Sequence, residues 1–332
     1  MKRTTLCFVL PVLCVGVVLA AGPARGADEP AAVYQLASKL DIGGPGGFDY
    51  ITIDAAGKTL YVPRSSHTLV LDAATGKTIA DIPESNRNHG VALAPEAGRG
   101  FISNGGDGTV SIFDLKTNAV LGKVKAAADA DCIIYDPASH FVLAFCGDAD
   151  CVVPIRADTD PTTGSALPAI DLGGKPEYAV ADGKGKVFVN IQSKDEVAVI
   201  DTKTLTVLNR WPVAPGSKPT GMSMDRAKGR LYVGCRNKKM IVMSAEDGKI
   251  LADLPIGERV DATAFDRGCA LASCGDGTLT VIRETAPGQF AVVQTLPTVA
   301  GARTMAVDSN TGTVYLPAKE AGFEIVVVKR AP

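Results

Sequence analysis

One four-residue pattern returns seven times along this chain, and it constrains the fold more than any other feature. LYVP (60–63), FISN (101–104), VFVN (187–190), LYVG (231–234) and VYLP (314–317) are close copies, and LAFC (143–146) and LASC (271–274) are diverged ones. Aligned on residues 64, 104, 146, 191, 235, 274 and 318, adjacent copies lie 39 to 45 residues apart. A period near forty built from short apolar runs belongs to propeller blades. Each blade is a small sheet that cannot bury its own faces and must stack on its neighbours.

Each repeat has the same grammar. An apolar strand comes first (YITID, GVALA, CIIYD, GMSMD, TMAVD), then a turn and the motif strand. A polar turn leads to a third strand (TLVLD, TVSIFD, EVAVID, MIVMS, TLTVI), and a second turn, often Asp-x-x-Thr, to a fourth. Period-two alternation broken by turn residues marks an all-β chain. The stretch Gly-Asp-Gly-Thr occurs at 106–109 and again at 275–278. It reads as the turn between second and third strands of the second and sixth blades, with Gly supplying positive φ and Asp bonding its own backbone. A calcium loop would need a ladder of oxygen ligands that these stretches lack.

The two ends of the repeat region complement each other. The last repeat supplies three strands (TMAVD, TVYLPA, FEIVVVKR), and YQLASKLDIGG (34–44) has the character of a fourth. Its LDIGG (40–44) matches IDLGG (170–174). Pairing this segment with the last blade would close the ring and hide two sheet edges. The expected fold is therefore all-β: a seven-bladed β-propeller of four-stranded blades over residues 27–332, closed by the N-terminal strand.

Residues 1–26 carry a different signal. Lys2 and Arg3 precede the apolar run LCFVLPVLCVGVVLAA, followed by GPARGA. This is the pattern of a secretory signal peptide cleaved after Gly26, and the run is short for a membrane span and contains Pro11. A periplasmic or secreted, monomeric protein with no membrane span after cleavage is expected. Losing Lys2, Arg3 and Arg25 leaves 31 basic against 36 acidic residues, a net charge of about −5. That balance argues against a general nucleic-acid surface. Six cysteines remain, with no CxxC pair for zinc or haem. Cys146 and Cys151 flank the turn GDAD, and a disulfide is expected between them; the other four read as small apolar packing residues.

The repeat copies resemble the YVTN-repeat, YncE-like family of exported bacterial propellers over residues 33–330. The resemblance implies a surface or periplasmic binding protein; one branch of that family binds single-stranded DNA, and neighbouring propeller families include lactonases and quinoprotein subunits.

Candidate chemistry concentrates where each first strand begins. Asp49, His89, Asp131, Glu177, Thr220, Asp261 and Arg303 occupy that place in the seven repeats. In a propeller they would converge on one mouth of the central channel, a suitable rim for a small polar ligand or a protein partner. No catalytic residues and no cofactor follow from this pattern. An alternative is a lactonase-like hydrolase in which Asp49, Asp131 and Asp261 hold a divalent cation that polarises an ester and activates water. Single-stranded DNA binding is a weaker alternative. No GxSxG elbow accompanies His89. His67 and His140 read as turn residues, RNKK (236–239) as a solvated basic turn, and Trp211 as blade packing.

Overall fold

The computed structural model of the protein describes Met1 and residues 33–332, apart from residues 84 and 321. Beyond Met1, the expected signal segment lies outside the described residues. Among the described residues there are seven four-stranded antiparallel sheets. The innermost strands of the seven blades are Thr52–Ile53, Asn88–Ala94, Ala130–Asp136, Pro176–Ala181, Pro219–Asp225, Val260–Asp266 and Ala306–Asp308. Each touches the next, and the seventh returns to the first, so the inner strands form a closed ring around a channel.

The seventh blade is composite. Its order from the channel outward is Ala306–Asp308, Thr313–Lys319, Phe323–Arg330 and then Tyr34–Asp41. Tyr34 pairs with Arg330 and Asp41 with Glu324, an antiparallel register that hides the edge of Phe323–Arg330. Tyr34 is fully buried, and the Gln294 side chain of blade six clasps its backbone. Gln294 Oε1 accepts the amides of Val33 (2.9 Å) and Tyr34 (2.8 Å), and its Nε2 donates to the Tyr34 carbonyl (2.7 Å). On the other flank, the buried Arg64 guanidinium stacks 3.6 Å from the Phe323 ring centre. It also donates to the carbonyls of Gly44 (3.1 Å) and Pro45 (2.6 Å), in the loop that leaves the closing strand.

The apolar core consists of seven layers, one between each pair of adjacent blades. This changes how the strands read. Strict alternation holds only for outermost strands such as Ile250–Pro255, where one face meets water. Second and third strands are covered on both faces, so Phe101–Asn104 and Val197–Ile200 are buried without a break. Continuous apolar runs are the expected consequence of two-sided burial. Trp211 belongs to one such layer, stacked 5.9 Å from Phe188.

The turns follow their sequence chemistry. Both Gly-Asp-Gly-Thr stretches join second to third strands, with Gly108 and Gly277 at φ 62° and 89°. Asp107 and Asp276 each accept the following Thr hydroxyl, at 2.6 and 2.7 Å. In the Asp-x-x-Thr turns, the Thr75 hydroxyl and amide hold the Asp72 carboxyl below the usual range, and the Thr117 amide and hydroxyl do the same for Asp114.

The expected Cys146–Cys151 bond is not formed in the structure: both are buried free thiols. They are direct cross-strand partners. The Cys146 thiol donates to the Ala144 carbonyl of its own strand (3.5 Å), so the reduced pair fits the layer without a covalent link. Cys132, Cys235, Cys269 and Cys274 are also buried free thiols.

Candidate functional site

The blade repeat builds the site. Within a blade, the loop leading into the inner strand is stitched to the turn between second and third strands. The carbonyls of Arg87, Asp129, Lys175, Lys218 and Arg259 accept the amides of Gly105, Gly147, Gln192, Arg236 and Gly275 at 2.8–3.1 Å. Four of those acceptor residues (Arg87, Asp129, Lys218 and Arg259) have φ between 49° and 58°, which swings the chain into the channel. Two positions after Arg87, Asp129 and Arg259 come His89, Asp131 and Asp261, which line the mouth.

Six of the seven expected residues, Asp49, His89, Asp131, Glu177, Asp261 and Arg303, line one cavity of about 410 Å³, joined by Tyr50, Arg236 and Arg259. Thr220 does not line it. Its buried hydroxyl donates to the Lys218 carbonyl (3.1 Å) and accepts from Arg236 Nε (3.2 Å). Blade five therefore presents Arg236, from the RNKK turn, in its place. The other cations of that turn are engaged too: Lys238 pairs with Glu258 and Lys239 with Asp253.

The charges at the mouth fall into two groups. Asp261 is held by Arg303 (2.6 Å), with Arg236 at 3.7 Å. On the rim, Asp129 is paired with Arg87 and lies 3.9 Å from Lys175. Asp49, His89 and Asp131 form the second group. His89 Nδ1 lies 2.6 Å from Asp49 Oδ2 and 3.4 Å from Asp131 Oδ1. Burial opposes the imidazolium, but the Asp49 hydrogen bond and the Asp131 charge outweigh it and raise the His89 pKa. Burial, reinforced by Asp49 and Glu177 against the opposing pull of His89, holds the Asp131 carboxyl above the usual carboxylate range. Gly105 backs the imidazole: a Cβ there would lie 2.8 Å from His89 Nε2.

Glu177 stands apart from both groups. It is 8 % exposed, lines the cavity, and hydrogen-bonds to no other described residue. Burial, then the charge of Asp261, pushes its pKa up to about 7. An unfolded glutamate titrates near 4.5, so the folded state holds the extra proton between the two values. The neutral form's contribution is complete below about pH 4.5 and is lost as pH rises through about 7. Each unit is worth about 1.4 kcal/mol, so Glu177→Gln is expected to stabilise the protein in chelator-containing buffer by about 3 kcal/mol at pH 8 and to change little at pH 4.5. Urea midpoints at the two pH values check this; equal shifts at both would rule out a buried charge as the cause.

The trio of carboxylates expected to hold a cation, Asp49, Asp131 and Asp261, is not assembled, because Asp261 faces arginines. His89 takes its place: Asp49, His89 and Asp131 offer one ligand atom each, all within 4.8 Å of one another. Histidines 67 and 140 lie outside this cavity; His140 Nδ1 is 3.2 Å from the Tyr135 hydroxyl.

Tyr50 lines the acidic cavity and also a second one of about 900 Å³ on its far side, bordered by Ile51, Val91, Ile133 and Tyr178. Its ring lies 5.1 Å from that of Tyr178, tilted by 58°. Burial, with the surrounding carboxylates, keeps Tyr50 a neutral phenol far above its usual pKa.

Ring and mouth together define a seven-bladed β-propeller with a charged pocket at one end of its channel. No protein-family model matches the chain, and no curated protein matches it in sequence. Solved structures share the fold. One is a chain of Kuenenia stuttgartiensis hydrazine synthase, 14% identical, with 89% of this chain and 97% of that chain covered and a TM-score of 0.72. Another is a chain of the mitotic checkpoint complex, 11% identical, covering 96% and 99%, with a TM-score of 0.78. At such identities the likeness is one of fold alone.

Proposed function

We propose that this protein is an exported propeller of the YVTN-repeat, YncE-like kind that binds a small polar ligand bearing positive charge at the Asp49–Asp261 mouth. The observation that carries the reading is Glu177: a largely buried carboxyl without a hydrogen-bond or ion-pair partner among the described residues, facing a cavity shared with Asp49, Asp131 and Asp261. Leaving such a group unmatched costs stability, and a bound cationic group would recover it. Arg236, Arg259 and Arg303 line the same cavity, so a ligand that also carries an anionic group finds a counter-charge. The propeller supplies a rigid ring, and the signal expected in residues 1–26 supports export.

The test is thermal stabilisation by a panel of primary amines, guanidines, amino acids and betaines at millimolar concentration in chelator-treated buffer. At least one member is expected to raise the melting temperature of the native chain, and the Asp131→Asn/Glu177→Gln double variant to lose that response. No response from any member or from a divalent metal salt, or an undiminished one in the double variant, would refute the reading.

A further inference from the structure

We infer that Asp49, His89 and Asp131 form a binding site for a divalent first-row transition-metal ion of the zinc or manganese type. The inference rests on the functional reading above and specifies its positively charged ligand.

The three residues occupy the same position in blades one, two and three, 40 and 42 residues apart: Asp49 lies in the loop entering the inner strand of blade one, and His89 and Asp131 at the starts of the next two inner strands. Their donor set is one imidazole nitrogen and two carboxylate oxygens. Carboxylates alone suit magnesium or calcium, whereas an added imidazole shifts preference toward zinc, manganese and iron. Metal–ligand bonds of about 2.0–2.2 Å place the ligand atoms of a tetrahedral site about 3.3–3.5 Å apart. The His89 Nδ1 to Asp131 Oδ1 separation of 3.4 Å already has that length. The 2.6 Å Asp49 contact is a hydrogen bond, and a metal taking the place of its proton would widen that edge by less than ~1 Å.

Two independent features point to a missing ligand. Asp131 Oδ1 is buried and accepts no hydrogen bond among the described residues. Glu177, 8 % exposed, stands unpartnered in the same cavity. Arg303 and Arg236 are drawn to Asp261, Arg87 to Asp129, and Arg259 donates to the Gly275 carbonyl. Among the described residues His89 is then the one ion-pair partner of Asp49 and Asp131, a place where a dication would add counter-charge. Three protein ligands leave a fourth position open toward the cavity, the arrangement that lets a metal take a further ligand. Gly105, close behind His89 Nε2, keeps Nδ1 turned to the two aspartates.

The experiment is calorimetric titration of the chelator-stripped, untagged mature chain at pH 7.5 with zinc, manganese and calcium chlorides, paired with cobalt(II) absorption spectra. One equivalent of zinc or manganese per chain is expected to bind at least tenfold tighter than calcium, with visible cobalt bands of nitrogen and oxygen coordination. His89→Gln and Asp131→Asn are each expected to weaken zinc about a hundredfold and remove the cobalt bands, while melting in chelator shows both still folded. Lys116→Gln, in an exposed turn outside the cavity, should leave zinc affinity within about threefold. Calcium binding best, no metal binding, or zinc binding unchanged in His89→Gln each overturns the inference. If organic cations still stabilise the protein in chelator, the broader reading survives that failure. If neither metals nor organic cations act, both fall.

Discussion

A chain lacking residues 34–41 is expected not to fold cooperatively. The deletion strips blade seven of its outer strand and uncovers Phe323–Arg330, whose Val326 and Val328 are at most 1% exposed. It also removes Tyr34, the largest side chain that the closing strand buries; truncating such an aromatic alone costs about 3–5 kcal/mol. The two hydrogen bonds between Tyr34 and Gln294 go with it, each worth about 1 kcal/mol. Folded domains are stable by only about 5–15 kcal/mol, so the sum approaches the whole margin. The naked edge would also pair with other chains. Expression in inclusion bodies, or loss of a sigmoidal urea transition, is the anticipated result. A soluble truncated protein melting within about 5 °C of the intact one would mean that three strands suffice in the last blade.

Arg64→Ala carries the second large effect. The guanidinium is fully buried, lies against the Phe323 ring and donates into the 43–46 loop, with no carboxylate partner among the described residues. Burial pulls its pKa down, as expected for a cation held by dipoles alone. Alanine would leave a cavity and release the loop, at a cost of about 3 kcal/mol or roughly 5–10 °C in melting temperature. Arg64→Met refills the space without donors and is expected to recover about 1 kcal/mol. If methionine matched the native chain, the hydrogen bonds and the ring contact would be irrelevant, and Arg64 would serve only as volume.

Most of the fold was legible because each blade writes its own copy. The motif strands are covered on two sides, which keeps them apolar and therefore recognisable in all seven repeats. The closing strand was legible from the shortfall of one strand at the far end. The same repeat exposed the mouth: six of seven expected positions reached it. What the repeat could not show was reach. Arg236 arises in a turn, not at a ring position, and enters the cavity because a long side chain lies over Thr220. Arg259 sits two residues before Asp261, one of a tier of charged residues at loop positions of positive φ. Pairing was equally hidden. Asp261 and Asp131 hold equivalent places, yet arginines surround one and a histidine adjoins the other. Spacing places residues on a rim, whereas their partners depend on which of several long side chains gets there first. The cysteine pair makes the same point: register put Cys146 opposite Cys151, but register does not decide oxidation state.

Tyr50 has a consequence for how the two cavities can be altered. It lines both of them, and its ring lies 5.1 Å from that of Tyr178, which lines the larger one alone. Glu177 and Arg259 border only the acidic cavity, and Val91 and Ile133 only the larger one. Change at those four positions reshapes one lining at a time, whereas change at Tyr50 is felt on both, which makes this ring the shared wall through which the two surfaces constrain each other.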